Sequence, residues 1–494
     1  MTVPLTRIRA LNDARLDPSG SWVLYWMVAS RRTRFNPSLE RAIELARAHG
    51  RPLVVLEALR CGYRWASDRH HRFVLDGMRD NRAALEAAGV TVVSWVEPSP
   101  GAGSGLLERL ASRAVCVVSD DWPGFFVPRM TAAAAARLPV LVEAVDGTGI
   151  LPLSATDRAF PTAASFRRHL QKTVLPHLAW RPEAEPLHAY SGGRATLPDG
   201  FLDRWAAPAG AEDGWMPALA ELPIDHTVRP TGLPGGPIAA ARMLDGFLDE
   251  RLARYPDDRK HPDDDASSHL SPYLHYGHVS AHEVLWRVLD GASWSPDRVG
   301  AVTGSRGWWG LPEDGESYVD ELVTWRELGH VFAHHRPHDY DQYGSIPDWA
   351  RQTLDEHASD PRKLVSFADL EAARSPDPLW NAAQQQLRQS GLIHNYLRML
   401  WGKKVLEWTK HPSIAFDWLT ELNNRYALDG RDPNSACGIA WVFGRHDRAW
   451  GPERPIFGKV RYMTSDSTRK KLHLAGWLAR WGRGNTRRVS AERA

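Results

Sequence analysis

Cysteine is scarce: the 494 residues hold three, at positions 61, 116 and 437. They lie far apart and form no CxxC pair, which argues against a disulfide framework, a zinc finger and a cysteine-ligated iron–sulfur cluster. Long apolar runs are missing as well. No run approaches the ~18 apolar residues of a membrane span, and the opening MTVPLTRIRALND lacks the apolar core of a secretory signal. The cytoplasm is therefore the expected compartment. Charge of one sign is not in excess: the formal net charge is +2 at pH 7, so any affinity for nucleic acid must come from a local patch. No GxGxxG follows the first apolar segment, which removes the usual dinucleotide fingerprint.

What is abundant is tryptophan, with 22 residues. Packing explains most indoles in most proteins, but such a number raises the question of whether some carry electrons or stack on bases. Apolar residues make up 43% and charged residues 24%, the balance of a globular chain long enough for two domains.

The first third alternates strand-like and helix-like segments. Trp22–Val28, Pro52–Leu56, Val90–Val96, Ala114–Ser119 and Pro139–Val145 are short apolar strand candidates. Helical stretches lie between them at Asn36–His49, Asp68–Ala88 and Gly105–Arg113. This order predicts an α/β domain over residues 1–180, with a doubly wound parallel sheet covered on both faces. Such sheets bind ligands beyond the carboxyl ends of their strands. Residues 181–235 are rich in proline and glycine and are expected to be an inter-domain linker. Residues 236–482 are helical in pattern and predict an all-α domain, followed by a basic tail over 483–494 that is simplest as a solvated end.

Five constellations in the second domain could carry chemistry. Ser267–Ser280 (SSHLSPYLHYGHVS) clusters hydroxyls before a helix, which suits a phosphate or, more plainly, an N-cap at Ser271-Pro272. Glu321 and Trp325 stand four apart, so an acid and an indole share one helix face. In Ile393–Trp408, Asn395, Arg398 and Met399 share a face, and Trp401 and Trp408 align two turns apart, with Trp380 just ahead of a further helix. In Leu422–Trp441, Asp429, Arg431 and Asp432 sit in a turn-prone stretch, where Asp429 is a partner for Arg398 and a surface turn is the alternative. In His446–Met463, Arg454, Lys459 and Arg461 interleave with Trp450, Phe457 and Tyr462, a pattern suited to a distorted duplex or to a solvated basic face. His330, His334 and His338 have helical spacing, but Pro337 interrupts them and no HExxH acid accompanies them, so no metal is expected.

The stretches YPDDRKHPDDDASSHLSPYLHYG, DELVTWREL, DPLWNAAQQQL, GLIHNYLRMLWGKKVLEWT, LDGRDPN and RPIFGKVRYM run in order from 255 to 463. Together they resemble the cryptochrome/photolyase family, most closely the class II cyclobutane pyrimidine dimer photolyases. Weaker similarity reaches back through HHRFVLDGM at 70–78 to VLYWM at 23–27. The resemblance implies an α/β domain joined to a helical domain that holds FAD, used in reduced form to split pyrimidine dimers in ultraviolet-damaged DNA under light. It implies a monomer needing no protein partner. Carried over by motif, Tyr255 and Ser268, His269, Leu270 and Ser271 correspond to the phosphate cradle. Arg398 and Asp429 correspond to an ion pair beside the isoalloxazine, Asn423 to the residue facing its N5, and Asn395 and Asp432 to further flavin contacts. Glu321, Trp325, Met399 and Trp441 correspond to the lesion pocket, with Arg259 nearby. Trp401, Trp380 and Trp408 correspond to electron-transfer tryptophans, and Trp450 and Arg461 to residues that fill the space left by the flipped lesion.

Three departures stand out. Asn395 replaces the glycine usual in class II, Ser435-Ala436-Cys437 replaces a bulkier sequence with an extra residue near Gly451, and Arg31–Pro37 differs from the usual pattern. The last leaves open whether an antenna chromophore such as a deazaflavin is bound. A (6–4) photolyase would carry histidines at 395 and 399, and Asn395 with Met399 favours the cyclobutane lesion. The alternative within the resemblance is a cryptochrome-like photoreceptor that binds FAD without repair.

Overall fold

The computed structural model describes residues 2–207 and 211–482; the basic tail expected at 483–494 lies outside them. The first third builds one six-stranded sheet from β1 (Ile8–Ala10), β2 (Trp22–Met27), β3 (Leu53–Leu59), β4 (Thr91–Val96), β5 (Ala114–Asp120) and β6 (Val142–Val145). Its order is β1-β6-β5-β2-β3-β4. All neighbours are parallel except β1, which pairs antiparallel with β6. The sheet is therefore mixed at one edge. The edge strand escaped the sequence pattern because IRA is three residues long and carries a charge at its centre.

Alternation along β2 explains why the strands are apolar throughout. Trp22, Leu24 and Trp26 pack into one core and Val23, Tyr25 and Met27 into another, on opposite faces of the sheet. Helices α1 (Pro37–His49), α2 (Asp68–Ala87), α3 (Leu106–Ala111) and α4 (Val127–Ala135) cover it. Asn36 starts α1 by accepting from Leu39 N at 3.1 Å, and its amide nitrogen donates to the Ser30 and Arg32 carbonyls. Asp120, at the end of β5, accepts from the backbone N–H groups of Val28, Ala29 and Ser30. One carboxylate thus fixes the loop leaving β2.

Segment 181–235, expected as a linker, contains only short 3-10 turns among its described residues, yet it does not hang free. Trp215, Met216 and Leu222 are buried against Leu59, Val74, Met78 and Val96. Apolar side chains spaced along an irregular chain gain enough by burial to lie over the sheet edge.

The remainder is helical. The segments that position the site are α5 (Ser271–His275), α6 (Glu313–Val319), α7 (Arg326–His335), α8 (Pro378–Ser390), α9 (Asn395–Trp408), α10 (Pro412–Tyr426) and α11 (Pro433–Val442). Gly391, in the left-handed region, ends α8, and Pro412 opens α10. Two expected boundaries shift. Ser271 begins α5 rather than capping it, since Leu270 holds the cap position with helical dihedrals and no side-chain bond. Trp380 is the third residue of α8, behind an Asp377 cap, and not ahead of the helix. No helix among the described residues is long and apolar enough to cross a membrane. The three cysteines are free and buried.

The two halves meet tightly. Arg32 donates to the Gly277 carbonyl at 3.0 Å, and buried Arg69 donates to the carbonyls of Leu387, Arg388 and Tyr426. Glu327 accepts from Ile150 N at 2.6 Å and Leu151 N at 3.1 Å, and burial pushes its carboxyl up to about 7. Gly277 has φ 73°, and a Cβ there would stand 1.8 Å from the Ala29 carbonyl oxygen. A methyl at 277 must push the halves apart as well as accept a left-handed backbone. Gly277→Ala is expected to lower stability by about 2 kcal/mol or more; a denaturation midpoint equal to that of the parent in urea would contradict this close approach.

Candidate functional site

The acid and indole of DELVTW do not lie on a regular α-helix. Asp320–Trp325 forms a π-helical turn between α6 and α7. Turns of this kind re-aim side chains and recur at functional sites; the α-helical spacing drawn from the sequence had no means of showing it. Arg259 Nη1 donates to Glu321 Oε1 at 2.5 Å, and the Arg259 guanidinium lies 5.3 Å from the Tyr255 ring. Burial, and then the negative charge of Glu321, raise the Tyr255 hydroxyl above its usual range, so it stays protonated. Glu321 and Trp325 are half-buried.

A second cluster surrounds Arg398, on α9. Its Nη2 donates to both oxygens of Asp429, at 2.9 and 3.1 Å, and Nη1 donates to Asn423 Oδ1 at 3.1 Å. The Asn423 amide in turn donates to Ser435 Oγ at 2.9 Å and Asn424 Oδ1 at 3.0 Å. The Arg398 and Asp429 side chains keep 20% and 14% exposure, so the pair still presents polar atoms to a ligand. Ser435, which the sequence marked only as a departure, belongs to this network. Asn395 is exposed at the start of α9, whereas Met399 packs against the helical core.

Asp432 is buried rather than placed in a surface turn. It caps α11 by accepting from Asn434 N at 2.8 Å, and His275 Nδ1 approaches it at 3.2 Å. His330 Nε2 lies 3.9 Å from its other oxygen. Burial holds His330 at about 4, so the imidazole is neutral at pH 7. Asp432 nonetheless stays well below the ordinary carboxyl range: burial would raise it, but the neighbouring imidazoles and Arg326 outweigh that effect. Of the histidine trio weighed as metal ligands, His330 is thus a buried partner of Asp432, and Trp122 lies edge-on to it at 5.1 Å. Among the described residues a different set, His261, Asp264 and His473, brings three ligand atoms within 4.8 Å of one another. Those groups satisfy each other: His473 Nδ1 bonds Asp264 at 2.8 Å, and His473 N donates to His261 Nδ1 at 3.1 Å.

The Ser268–Ser271 turn runs into α5, whose His275 reaches Asp432, so this turn and the Asp429–Asp432 loop are tied together. His269 has φ 57° and bonds Asp265 at 2.7 Å, which holds the turn in an unusual backbone conformation. Leu270 is buried beneath it.

The tryptophan stripe becomes a stack. Trp380 and Trp401 lie with centroids 6.5 Å apart and planes at 4°, and Trp380 meets Trp408 edge-on at 5.5 Å. Trp380 Nε1 donates to the Trp401 carbonyl and Trp401 Nε1 to Gln384 Oε1, both at 2.9 Å. All three rings are buried. In the basic loop, the Arg461 guanidinium lies 5.0 Å from the Trp450 ring and 5.6 Å from the Trp441 ring. Arg461 is exposed and both indoles are half-buried.

Sequence reasoning pointed to the carboxyl ends of the strands but assigned no residue to the cleft found there. A cleft of about 490 Å³ opens beyond the carboxyl ends of β2, β3, β4 and β5, lined by Trp26, Leu56, Trp95, Trp122, Phe125 and Met130 among others. Arg431 lines the same cleft. It is buried with φ 68°, donates to Tyr276 Oη at 2.6 Å and approaches His70 Nδ1 at 3.1 Å. It makes no ion pair among the described residues. The general rule for open sheets located this cleft; no motif in the first 180 residues marked its lining.

Comparison with known proteins gives several matches over nearly the whole chain. The deoxyribodipyrimidine photo-lyase of Methanothermobacter thermautotrophicus is 35% identical over 480 residues, covering 96% of this chain and 97% of the relative. That of Arabidopsis thaliana is 31% identical over 482 residues, covering 96% and 92%. That of Potorous tridactylus is 30% identical over 479 residues, covering 95% and 83%. Two solved structures share the fold. A bacterial class III photolyase from Agrobacterium tumefaciens has a TM-score of 0.67 at 18% identity, covering 95% of this chain and 87% of that one. A cryptochrome from Synechocystis sp. PCC6803 has a TM-score of 0.67 at 14% identity, covering 93% and 88%. No family model matches the chain.

Proposed function

The chain belongs to the photolyase/cryptochrome family, and we propose that it is a deoxyribodipyrimidine photo-lyase that splits cyclobutane pyrimidine dimers in DNA by light-driven electron transfer from reduced FAD. The observation that carries this reading is a joint one. Glu321 held by Arg259, the Trp441–Arg461–Trp450 cluster, and the tryptophan stack on the helix of Arg398 occur in one chain. No single member would suffice, since acids, basic loops and buried indoles each have plainer uses.

The donor set fits FAD. A flavin ring edge offers one N–H and two carbonyls, and Asp429, Arg398 and Asn423 present an acceptor and donors side by side. The Ser268–Ser271 turn supplies hydroxyls and amides for a diphosphate. Bound in reduced form, the flavin supplies the photoexcited electron that opens the cyclobutane ring and receives it back afterwards. The protein's task is orientation and electrostatics. The Arg398 cation would balance negative charge on the bound cofactor, with Asp429 limiting how much it gives. Arg259 occupies one oxygen of Glu321, which leaves Oε2 for a base N–H. Trp325, Trp441 and Met399 supply apolar and aromatic surface for the two bases. Photolyases extrude their target nucleotide at a cost of a few kcal/mol, least for a damaged base that already stacks poorly; Trp450 and Arg461, in contact with each other, would fill the vacated space. Trp408, Trp380 and Trp401 form a contiguous path for an electron through α8 and α9.

The sheet cleft suits a second, planar aromatic chromophore of deazaflavin type. Its lining is mainly apolar and aromatic, and Arg431 offers a buried cation for an ionised ring substituent. The three buried free cysteines support a reducing compartment, the cytoplasm.

Three outcomes are expected. Blue light on the reduced holoprotein with dimer-containing DNA restores thymine absorbance, and Glu321→Gln lowers repair about tenfold, the loss of one charge-assisted bond; no recovery with the parent protein would overturn the assignment. Trp401→Phe blocks flavin photoreduction while sparing repair by chemically reduced protein, and photoreduction equal to the parent's would remove Trp401 from the path. With a deazaflavin added, the action spectrum of repair extends beyond the flavin bands; a spectrum that follows flavin absorption alone would sink the antenna.

A further inference from the structure

Beside the proposed lesion pocket, cations and indoles alternate from the surface to the core. The Arg448 guanidinium lies 4.4 Å from the Trp450 ring, and Arg461 lies 5.0 Å from that ring and 5.6 Å from Trp441. The series ends at Lys403, whose Nζ lies 4.9 Å from the Trp441 ring. Arg448 and Arg461 are exposed, the two indoles are half-buried, and Lys403 is 0% exposed.

The helix packing explains how a lysine reaches this place. α9 and α11 touch at Gly402, where a Cβ would stand 2.4 Å from Val442 Cγ2. The next residue, Lys403, extends along α11 and donates to the Val442 carbonyl at 2.6 Å. It makes no ion pair among the described residues. An enclosed ammonium without a carboxylate is costly, and methionine would fill the space without that cost. Its contacts are the indole of Trp441 and the carbonyl of the following residue, and both constrain the same segment.

We propose that Lys403 is a positioning residue for the substrate: its ammonium clamps Trp441 through the ring and the Val442 carbonyl, making the indole a preset platform for the damaged base, and bound DNA tightens the clamp. This rests on the reading of Trp441 as part of the lesion pocket.

The charge of the clamp responds to DNA. Burial lowers the Lys403 ammonium to about 7, Asp447 favours it and Arg461 opposes it. In the free protein near neutral pH the group is therefore divided between ammonium and amine. When the extruded dimer sits on Trp441, its own phosphate comes to Arg461 and offsets the opposing charge more than intact duplex does, so the dimer-bound state holds the proton more firmly. The sign follows: affinity is greatest below about 7, where the ammonium is present, and falls as pH rises and the proton must be taken up on binding. One pKa unit of strengthening on binding corresponds to about tenfold in affinity.

The test compares the reduced holoprotein with Lys403→Met, using dimer-containing and intact duplexes in the dark. Binding of the dimer duplex by the parent is expected to weaken about tenfold more than binding of intact duplex between about pH 6 and 9. Calorimetry in two buffers of different ionisation enthalpy should then show proton uptake. Lys403→Met is expected to bind the dimer more weakly at the low end, to lose the pH-dependent step, and to keep the parent's flavin content. A variant that matches the parent at every pH overturns the role of Lys403. If the variant does not fold, the parent decides: no proton uptake on dimer binding overturns the proposal. A parent that fails to distinguish dimer from intact DNA instead overturns the reading of the pocket, and the clamp with it.

Discussion

One buried carboxylate joins the segments that carry the site. Asp432 caps α11, which bears Trp441 at its far end, and accepts from His275, at the end of the short helix that follows the serine turn. It faces His330 on α7, the helix continuing from the π-turn of Glu321 and Trp325. The Ser268–Ser271 turn, Glu321 and Trp441 come from three separate stretches of the chain, and this single group ties them together. An anion is suited to the task because one oxygen can bond a backbone N–H while the other takes an imidazole. With His330 neutral at pH 7 and its Nδ1–H donating to the Arg326 carbonyl, Asp432 is bonded by the Asn434 N–H and by His275 and meets no full opposite charge on His330, so the junction remains polar without a buried salt bridge's demand for ideal geometry. Trp122, from the sheet half, closes it against both imidazoles.

The same logic shows which features are legible in sequence. Apolar β2, β3 and β5 could be found because burial on both faces removes polar residues from the strand, and Asn36, Gly391 and Pro412 mark helix ends through local chemistry that needs no tertiary partner. Arg398 and Asp429 lie 31 residues apart; a cation flanked by apolar residues called for a partner, but its distance and orientation needed the fold. The π-turn at 320–325 is not legible, since the side-chain pattern of DELVTW suits a regular helix equally well. The burial of Arg431 and Asp432 is not legible either. GRDP has the composition of an exposed turn, and only the closure of α11 against α7, where Gly329 sits 2.7 Å by its would-be Cβ from Asn434 Cα, encloses it.

The tryptophans divide by environment rather than by number. Trp380, Trp401 and Trp408 are buried and stacked or edge-on, and Trp380 and Trp401 are hydrogen-bonded to neutral groups. Such surroundings hold an indole rigid while leaving its oxidation unopposed by a nearby cation, except at Trp408, where Lys404 Nζ lies 5.6 Å away and is paired with Glu407. Trp441 and Trp450 are instead surrounded by Arg448, Arg461 and Lys403. A cation over the ring stabilises the neutral indole and disfavours its loss of an electron. One set of indoles, on α8 and α9, is thus largely free of nearby cations, and the other, Trp441 on α11 and Trp450 in the loop beyond it, lies among them.

A net charge of +2 then has a functional meaning. A strongly basic protein is held along DNA by counterion release wherever it lands, with little regard to damage. Here Arg448, Arg461 and Lys403 lie against indoles, and under the proposed function attraction to intact duplex is expected to be weak. On that reading, affinity comes from surface that only an extruded, poorly stacked pair of bases can reach: the rings of Trp325 and Trp441 and the second oxygen of Glu321. Local charge with near-neutral totals makes recognition depend on the deformability of the lesion, and it is the rigidity of the platform, set by the contacts of α9 with α11, that turns deformability into selectivity.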